Sequence, residues 1–245
     1  MFRNAESPLR PFMDEIREVP PVTRALVAAT LAVSGPVMLQ LVSPYPLLFV
    51  WGYVKEGQLW RIPTSFFLGG SGMTFLFDLA LLYRNSDGLE TICYNRRSAD
   101  YAWQLLLASG AILALNIPLK SFILYRALLL CLTHLSSRLN PEPPMSIFGL
   151  FSIKAFYLTF VLLSLDFLNG GPAAAVVSLT GIIVGHAWYM LEWQDDTLPR
   201  NSLGGGRGSA IGRPPAWFER WVGDRPPSGR NEGGVTGGTT ARANP

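Results

Sequence analysis

The stretch PAAAVVSLTGIIVGHAWYMLE, residues 172–192, decides how this chain folds. It is long and apolar enough to cross a bilayer, because about 20 helical residues, rising ~1.5 Å each, cover the ~30 Å hydrocarbon core. Gly181 and Gly185 lie four residues apart on one helical face, and His186 follows directly. Small residues at this spacing let a second backbone approach closely, which is how helices pack in lipid. The stretch therefore predicts a membrane helix with a packing face.

The composition extends this interpretation to the whole chain. Hydrophobic residues make up 49% of the 245 residues and charged residues only 15%. Soluble domains usually carry about 25% charged residues, so a membrane protein is expected. The formal net charge is only +3, and we take the positions of the basic residues as a topology signal and not as a nucleic-acid signal. The two cysteines, Cys93 and Cys131, support neither a disulfide framework nor a metal site.

Apolar blocks separated by polar connectors predict an all-α membrane protein with six transmembrane helices in residues 25–192. The predicted spans are 25–42, 63–83, 102–118, 121–139, 147–168 and 172–192. Residues 1–24 are expected to be a cytosolic segment, with a short amphipathic helix over 11–19 lying on the membrane surface. Residues 193–245 are expected to be a flexible, disordered tail rich in Gly and Arg. Within it, 216–222 is expected either to touch the membrane or a partner, or to collapse locally.

Basic residues lie mostly on one side of the predicted spans. That side carries eight arginines before and between the spans and seven in the tail, whereas the other side carries Lys55, Arg61 and Lys120. Basic residues accumulate on the cytosolic side of membrane proteins, so both termini are expected in the cytosol. The far-side connector 43–62 is rich in aromatic residues, which settle at the headgroup level, and is expected to lie in the interface.

Several short motifs, in order along residues 19–192, resemble the Derlin family of endoplasmic reticulum membrane proteins, which is related to the rhomboid proteases. They are VPPVTR (19–24), GQLWR (57–61, with Trp60 and Arg61), LYRNS (82–86), LE (89–90), RSADY (97–101), FGLFSIKAFYL (148–158) and the GxxxG-His of the sixth span. The resemblance implies a rhomboid-like arrangement of six helices, with the Trp60-Arg61 loop in the luminal leaflet. It also implies a role in moving misfolded proteins to the cytosol for ubiquitination and proteasomal degradation.

The resemblance implies partners as well. They are misfolded protein substrates, an endoplasmic reticulum ubiquitin-ligase complex, a cytosolic AAA ATPase, membrane lipid and, as an open alternative, further copies of this chain or related subunits. No cofactor and no nucleic acid is expected. Many Derlins end in a Gly-rich motif with an aromatic residue that docks the ATPase. This chain has no aromatic residue after Trp221, a departure that speaks against direct ATPase binding.

The relation to rhomboids raises the question of proteolysis. A rhomboid-type protease needs a Ser in a GxSG turn opening the fourth span, and a His three residues before the first Gly of the sixth-span GxxxG. Here the fourth span opens SFILYR, and the His position is Ser178. The sequence GGSG at 69–72 offers Ser71, but estimated depths place Ser71 ~20 Å and His186 ~9 Å from the cytosolic face, whereas proton transfer needs ~3 Å.

No catalytic residue is therefore expected, and the chain is interpreted as a rhomboid pseudoprotease. The first alternative is an active intramembrane serine protease. The second is a small-solute transporter, which would usually show an inverted repeat of broken helices around a midplane site, and we find no such repeat in the sequence.

Ionisable residues within the predicted spans form a second candidate site. They are Asp78, Arg126, His134, Lys154 and His186. Counting helical rise from the cytosolic ends places Asp78, His134 and His186 ~6–9 Å deep, so these three could cluster. Arg126 lies nearer the luminal end, and a direct pair with Asp78 is not expected. The set either lines a wet cavity or clamps helices together.

By analogy with the rhomboid fold, a lateral gate would lie between the second and fifth spans, lined by Phe66, Phe75, Phe156 and Phe160. Loose or broken helix near 69–72 and at Gly35-Pro36 would thin the bilayer through hydrophobic mismatch. Arg61 is expected to tie down the far-side loop.

Overall fold

The computed structural model describes residues 19–139, 145–147, 151–153, 155–193 and 214–222. The helices are α1 (Pro21–Met38), α2 (Trp51–Lys55), α3 (Arg61–Phe67), α4 (Gly72–Gly88), α5 (Ser98–Asn116), α6 (Tyr125–Leu139), α7 (Ala155–Trp193) and α8 (Ala216–Val222). A 3-10 turn covers Tyr45–Leu47, and a π-helical turn, Leu89–Cys93, follows α4 directly. Two three-residue antiparallel strands, β1 (Met145–Ile147) and β2 (Phe151–Ile153), pair with each other between α6 and α7.

The long helix α7 consists of two halves that pack side by side. Gly171 has φ 68° and ψ −168°, a backbone conformation outside the helical region that glycine adopts readily. Pro172 follows it and begins the second half. Ser178 donates a hydrogen bond to the Asp166 carboxylate, although twelve residues of continuous helix would separate them by about 18 Å. Residues 155–170 and 172–193 therefore form an antiparallel pair.

Contacts between pairs of residues, through side chains or backbone, give the direction of the long segments. Helix α6 runs parallel to α4 (Asp78–Arg126 and Asn85–Thr133) and to the second half of α7 (Gly181–Ala127 and Gly185–Cys131), and antiparallel to the first half of α7 (Arg126–Asp166 and Arg138–Phe156). Helix α5 is antiparallel to the second half of α7 (Asn116–Thr180 and Gln104–Trp188). Helix α1 is antiparallel to α4, whose two flanks it contacts (Thr23–Glu90 and Ser34–Gly69). In the described part of the chain, six segments therefore alternate in direction: α1, α4, α5, α6 and the two halves of α7.

The bundle has two distinct ends. The loop end carries the starts of α4 and α6 and the turn at Gly171. The terminal end carries the start of α1 and the end of α7. Helix α6 lies at the centre, and leucines surround most of its axis, which is typical of a helix buried on all sides.

The second predicted span, residues 63–83, has the wrong shape. The chain breaks at 68–71, and helices α3 and α4 meet at a bend of 99°. The cause is the run Gly69-Gly70-Ser71-Gly72, in which Gly72 has φ 68°. Within the described residues two helices are long and apolar enough to span a membrane, Pro21–Met38 and Phe156–Trp193, or three if the bent pair counts as one.

Other boundary predictions have mixed outcomes. Helix α6 begins at Tyr125, four residues later than the predicted start of the fourth span. Helix α8 packs on α5, with the rings of Phe218 and Trp103 5.3 Å apart between centroids, which favours the local-collapse alternative for 216–222. The predicted surface helix over 11–19, Lys154, and the Gly-rich parts of the tail lie outside the described residues.

Candidate functional site

One guanidinium joins three helical segments in the loop-end half of the bundle. Arg126, the second residue of α6, donates to the Asp78 carboxylate of α4 at 2.6 Å. It also forms an ion pair with Asp166 in the first half of α7. Ser178, in the second half, donates to the other oxygen of Asp166. We call Asp78, Arg126 and Asp166 the ion triad.

The ion triad is largely shielded from its surroundings. The exposed fraction of the side chain is 2% for Asp78, 10% for Asp166 and 20% for Arg126. Buried charges are tolerated only when paired and hydrogen-bonded, and here one guanidinium serves two carboxylates. With all three groups ionised, the triad carries one excess negative charge. The neighbouring Tyr125 hydroxyl is buried and finds no hydrogen-bond partner among the described residues.

The expectation that Asp78 would not pair with Arg126 is wrong. The predicted depth of Asp78 assumes that the second span ends at Arg84. Helix α4 and its π turn instead continue to Cys93, about 13 Å further along the axis. Asp78 therefore lies deeper than predicted, level with the start of α6. His134 lies eight residues, about 12 Å of helix, beyond Arg126, so Asp78 does not share its depth.

The two histidines do meet. The His134 and His186 rings lie 5.7 Å apart between centroids at an angle of 68°, and His186 also stacks on Tyr189. The contact follows from the glycine pair, because Gly185 abuts Cys131, three residues before His134. Both ring nitrogens of His134 lack a hydrogen-bond partner in the part of the chain that the structure describes. In the same ranges no third His, Cys, Asp or Glu joins the pair.

Ser71 lies far from this pair along the bundle axis. It is the exposed residue that precedes α4, seven residues before Asp78. Because α4 and α6 are parallel and Asp78 is level with Arg126, Ser71 is displaced about 10 Å towards the loop end. The histidine pair is displaced about 12 Å the other way. The hydroxyl and the imidazole of His186 are thus separated by roughly 22 Å.

Arg61 fastens the connector before α3. Its Nη1 donates to the carbonyl oxygens of Tyr45 and Leu48 at 2.9 and 3.0 Å, and its Nε donates to Gln58 at 2.7 Å. The guanidinium also lies 4.8 Å from the Tyr53 ring centroid. Trp60, the residue before it, remains 56% exposed. One buried arginine therefore shapes the loop, and its aromatic neighbour faces outward.

The four predicted gate phenylalanines divide into two groups. Phe66 and Phe75 are buried, and the Phe75 ring occupies the space beside Gly69, where a Cβ would lie 2.7 Å from it. Phe156 and Phe160 pack together on α7 at 5.3 Å between ring centroids. Phe160 is exposed, so only the α7 group reaches the outer surface.

Sequence reasoning missed Glu90 as a structural centre. This fully buried carboxylate accepts hydrogen bonds from the backbone N–H groups of Val22 and Thr23 at 3.2 and 2.8 Å. It also accepts from the hydroxyls of Thr23 and Ser98 at 2.9 and 2.6 Å. It thereby caps the start of α1 and links that helix to α5. The LE motif at 89–90 contains Glu90, but nothing in the motif singles out its carboxylate.

A second polar cluster lies close to Glu90, at the terminal end. Trp188 donates from Nε1 to Gln104 at 2.7 Å, and the Tyr94 hydroxyl also bonds Gln104. Burial raises the pKa of Tyr94 well above its usual value, so this hydroxyl remains a donor. The cluster joins α5 to the second half of α7.

Asp166 was the second omission. It is an isolated acid in an apolar segment, five residues before Gly171. Because an ionisable residue inside a membrane segment must find a partner, it belonged with Asp78 and Arg126 in the predicted polar set. Its partner on α6 lies 40 residues earlier in the chain.

Apolar antiparallel helices, joined by buried polar contacts, define a helical membrane protein with more than one apolar span. Residues 19–206 match the Der1-like family, and the chain belongs to this family. It is 34% identical to Derlin-1 of Arabidopsis thaliana over 178 residues, which cover 71% of this chain and 66% of the plant protein. It is 31% identical to Derlin-1 of Homo sapiens over 232 residues, 91% of this chain and 85% of the human protein. These findings confirm the predicted Derlin resemblance.

Proposed function

We propose that this protein is a non-catalytic membrane factor of endoplasmic reticulum-associated degradation, which helps misfolded proteins pass from the lumen to the cytosol. The observation that carries the proposal is the Der1-like match over residues 19–206. We further propose that the six alternating segments are membrane spans in a rhomboid-like arrangement, with both termini in the cytosol and the Trp60-Arg61 loop in the luminal leaflet. The loop end is then the luminal end.

A short central helix supports a bilayer-thinning mechanism. Helix α6 has 15 residues, which correspond to about 22 Å against a hydrocarbon core of ~30 Å. A span shorter than the membrane thins the surrounding lipid. A thinner core shortens the path over which polar backbone groups of a client lack hydrogen-bond partners.

A lateral gate between α4 and the first half of α7 is the proposed entry route. Arg126 holds both segments through Asp78 and Asp166, so the ion triad closes the space between them. Phe160 presents an apolar side chain outside this closure, where a client segment in lipid would first make contact. Phe66 and Phe75 would line the inner side.

The absence of catalysis is part of the proposal. Ser178, which takes the position of the rhomboid histidine, donates its hydroxyl to Asp166. Ser71 and His186 are roughly 22 Å apart along the bundle, far beyond the ~3 Å that proton transfer needs. A rhomboid-type protease remains the competing function, and cleavage of a reporter transmembrane substrate that is abolished by Ser71→Ala would establish it.

The proposed partners follow from the same pathway. A client released towards the cytosol needs a ubiquitin-ligase complex in the same membrane and an AAA ATPase to extract it. We propose that other subunits of this complex recruit the ATPase.

The direct test is depletion of this protein while the half-life of a misfolded luminal glycoprotein is followed by a translation-block chase. The proposal predicts a longer half-life that the full-length protein restores. An unchanged half-life in depleted cells would refute it. A misfolded cytosolic protein, which needs no passage across the membrane, serves as the control client.

A further inference from the structure

We propose that the ion triad is a recognition site for a basic side chain in the transmembrane segment of a client, so that clients with an intramembrane Lys or Arg are preferred. The inference rests on the proposed function and names the substrate class for it. Five observations carry it: the charge of the triad, its spare acceptors, a buried hydroxyl without a partner beside it, its accessibility and its position between two segments.

The charge favours a cation. Asp78 and Asp166 share one guanidinium, so with all three groups ionised one negative charge is uncompensated. Each carboxylate has two oxygens with two acceptor sites apiece, and a single Arg with one Ser donor does not fill them. In hydrocarbon, an isolated positive charge on a client segment is costly. Contact with a carboxylate would offset that cost.

A buried, unpartnered hydroxyl gives an independent indication of a ligand. Tyr125 is 1% exposed, and its hydroxyl finds no hydrogen-bond partner among the described residues. Tyr125 precedes Arg126 in the chain, and its ring lies beside Gly69, 3.4 Å from the position that a Cβ there would take. Buried polar groups are normally satisfied. An ammonium or guanidinium group placed at the triad could donate to the Tyr125 oxygen, so that this oxygen would act as an acceptor.

The triad can be reached from outside the bundle. Arg126 retains 20% of its side-chain exposure and Asp166 retains 10%, whereas Asp78 retains 2%. The exposed part therefore includes the Arg126–Asp166 pair, which bridges α6 and the first half of α7. A client Lys that pairs with Asp166 would compete with Arg126 and would release the α7 segment from α4. The ion pair between the client Lys and Asp166 would replace the Arg126–Asp166 pair, and this one exchange would both recognise the client and open the gate.

The test uses the purified full chain in phosphatidylcholine vesicles, whose lipids carry no primary amine. The probes are single-span peptides of 21 Leu and Ala residues with Lys, Leu or Glu at one central position. Binding is measured by photo-crosslinking from a residue next to the probe position. We expect the Lys peptide to crosslink about three- to tenfold more strongly than the Leu peptide, the range that one interhelical polar contact gives.

Charge reversal makes the test specific. Asp78→Asn with Asp166→Asn changes the excess charge of the triad from −1 to +1 while it keeps the side-chain shape and the capacity to accept from Ser178. The preference should then shift from the Lys peptide to the Glu peptide. Asp87→Asn, at the terminal end of α4, removes a carboxylate elsewhere and should leave the Lys preference unchanged. Helicity by circular dichroism confirms that the variants fold.

Equal crosslinking of Lys and Leu peptides to the unchanged protein would overturn the inference, as would a Lys preference that survives both substitutions. The measurement is independent of degradation. If clients are stabilised on depletion but the peptides bind equally, the proposed function stands and the triad is only a clamp. If the Lys preference is found but depletion leaves client turnover unchanged, the recognition site stands and the degradation role fails.

Discussion

Gly181 lies directly against the backbone of Ala127: a Cβ on this glycine would stand 1.9 Å from the Ala127 carbonyl oxygen. The obstacle is backbone, so no rotamer change relieves it. Gly181→Ala must push α6 and the second half of α7 apart, and α6 is the buried centre of the bundle. We expect a loss of about 3 kcal/mol in the free energy of unfolding, measured by denaturant titration in detergent. Gly185→Val, with a Cβ 2.7 Å from the Cys131 oxygen, should also slow client degradation.

Gly110→Ala is the matched control for the glycine prediction. Gly110 lies in α5, and a Cβ there would meet nothing within 4 Å. Alanine is a better helix former than glycine by about 1 kcal/mol, so this variant should be as stable as the unchanged protein or more so. Equal stability of the Gly181 and Gly110 variants would show that the two helices are not in close contact.

Removing the cation of the triad should lower the stability of the protein more than removing an exposed arginine. Arg126→Leu leaves the buried carboxylates of Asp78 and Asp166 without a counter-ion, which typically costs about 3–5 kcal/mol. We expect the lower end of that range, because Arg126 is 20% exposed. Thermal aggregation in detergent measures the effect. Arg84→Leu, at an exposed position on α4, should change the midpoint temperature of aggregation little. A similar fall of this temperature in both variants would contradict the structural role of the triad.

Glu90 should control how firmly the first helix is attached. Glu90→Ala removes the acceptor for the backbone N–H groups of Val22 and Thr23, and each buried donor left unsatisfied costs about 1–3 kcal/mol. Amide hydrogen exchange at Val22 and Thr23 should accelerate by at least about tenfold. The exposed Glu56 provides the comparison, since Glu56→Ala should leave these amides protected. Unchanged protection in the Glu90 variant would mean that α1 is held by packing alone.

Loss of Arg61 should free the connector that precedes α3. Arg61→Ala removes the donors to the Tyr45 and Leu48 carbonyls, so hydrogen exchange across residues 45–58 should rise while that of α6 stays the same. Arg61→Lys should not restore protection, because an ammonium lacks the planar fork of a guanidinium. The double change Trp60→Ala with Arg61→Ala should slow client degradation. Normal client turnover in that variant would remove this loop from the functional site.

The sequence predicts some contacts well because their cause is local. Gly181 and Gly185 are spaced for close helix approach, and they do contact α6. The apolar blocks also overlap the six alternating segments, although the glycine run at 69–72 divides the second block and the fifth block begins within strands β1 and β2. A histidine directly after the glycine pair is brought to His134 by the same packing.

Other contacts depend on long-range geometry that no local pattern encodes. Asp78 meets Arg126 because α4 continues to Gly88 and a further π turn follows, which shifts every depth counted from Arg84. Glu90 reaches Thr23 across 67 residues. Asp166 meets Arg126 only because the chain reverses at Gly171. Such pairs follow from the assembled bundle and not from spacing along the chain.

The most direct test of the central claim is a rescue experiment in depleted cells, with a tagged, misfolded, single-span client. Its half-life and its fragments are followed after resupply of the unchanged protein or of Ser71→Ala. A non-catalytic factor predicts that both proteins restore degradation equally and that no membrane-cut fragment forms. A fragment that appears with the unchanged protein and disappears with Ser71→Ala would contradict the account and establish a protease.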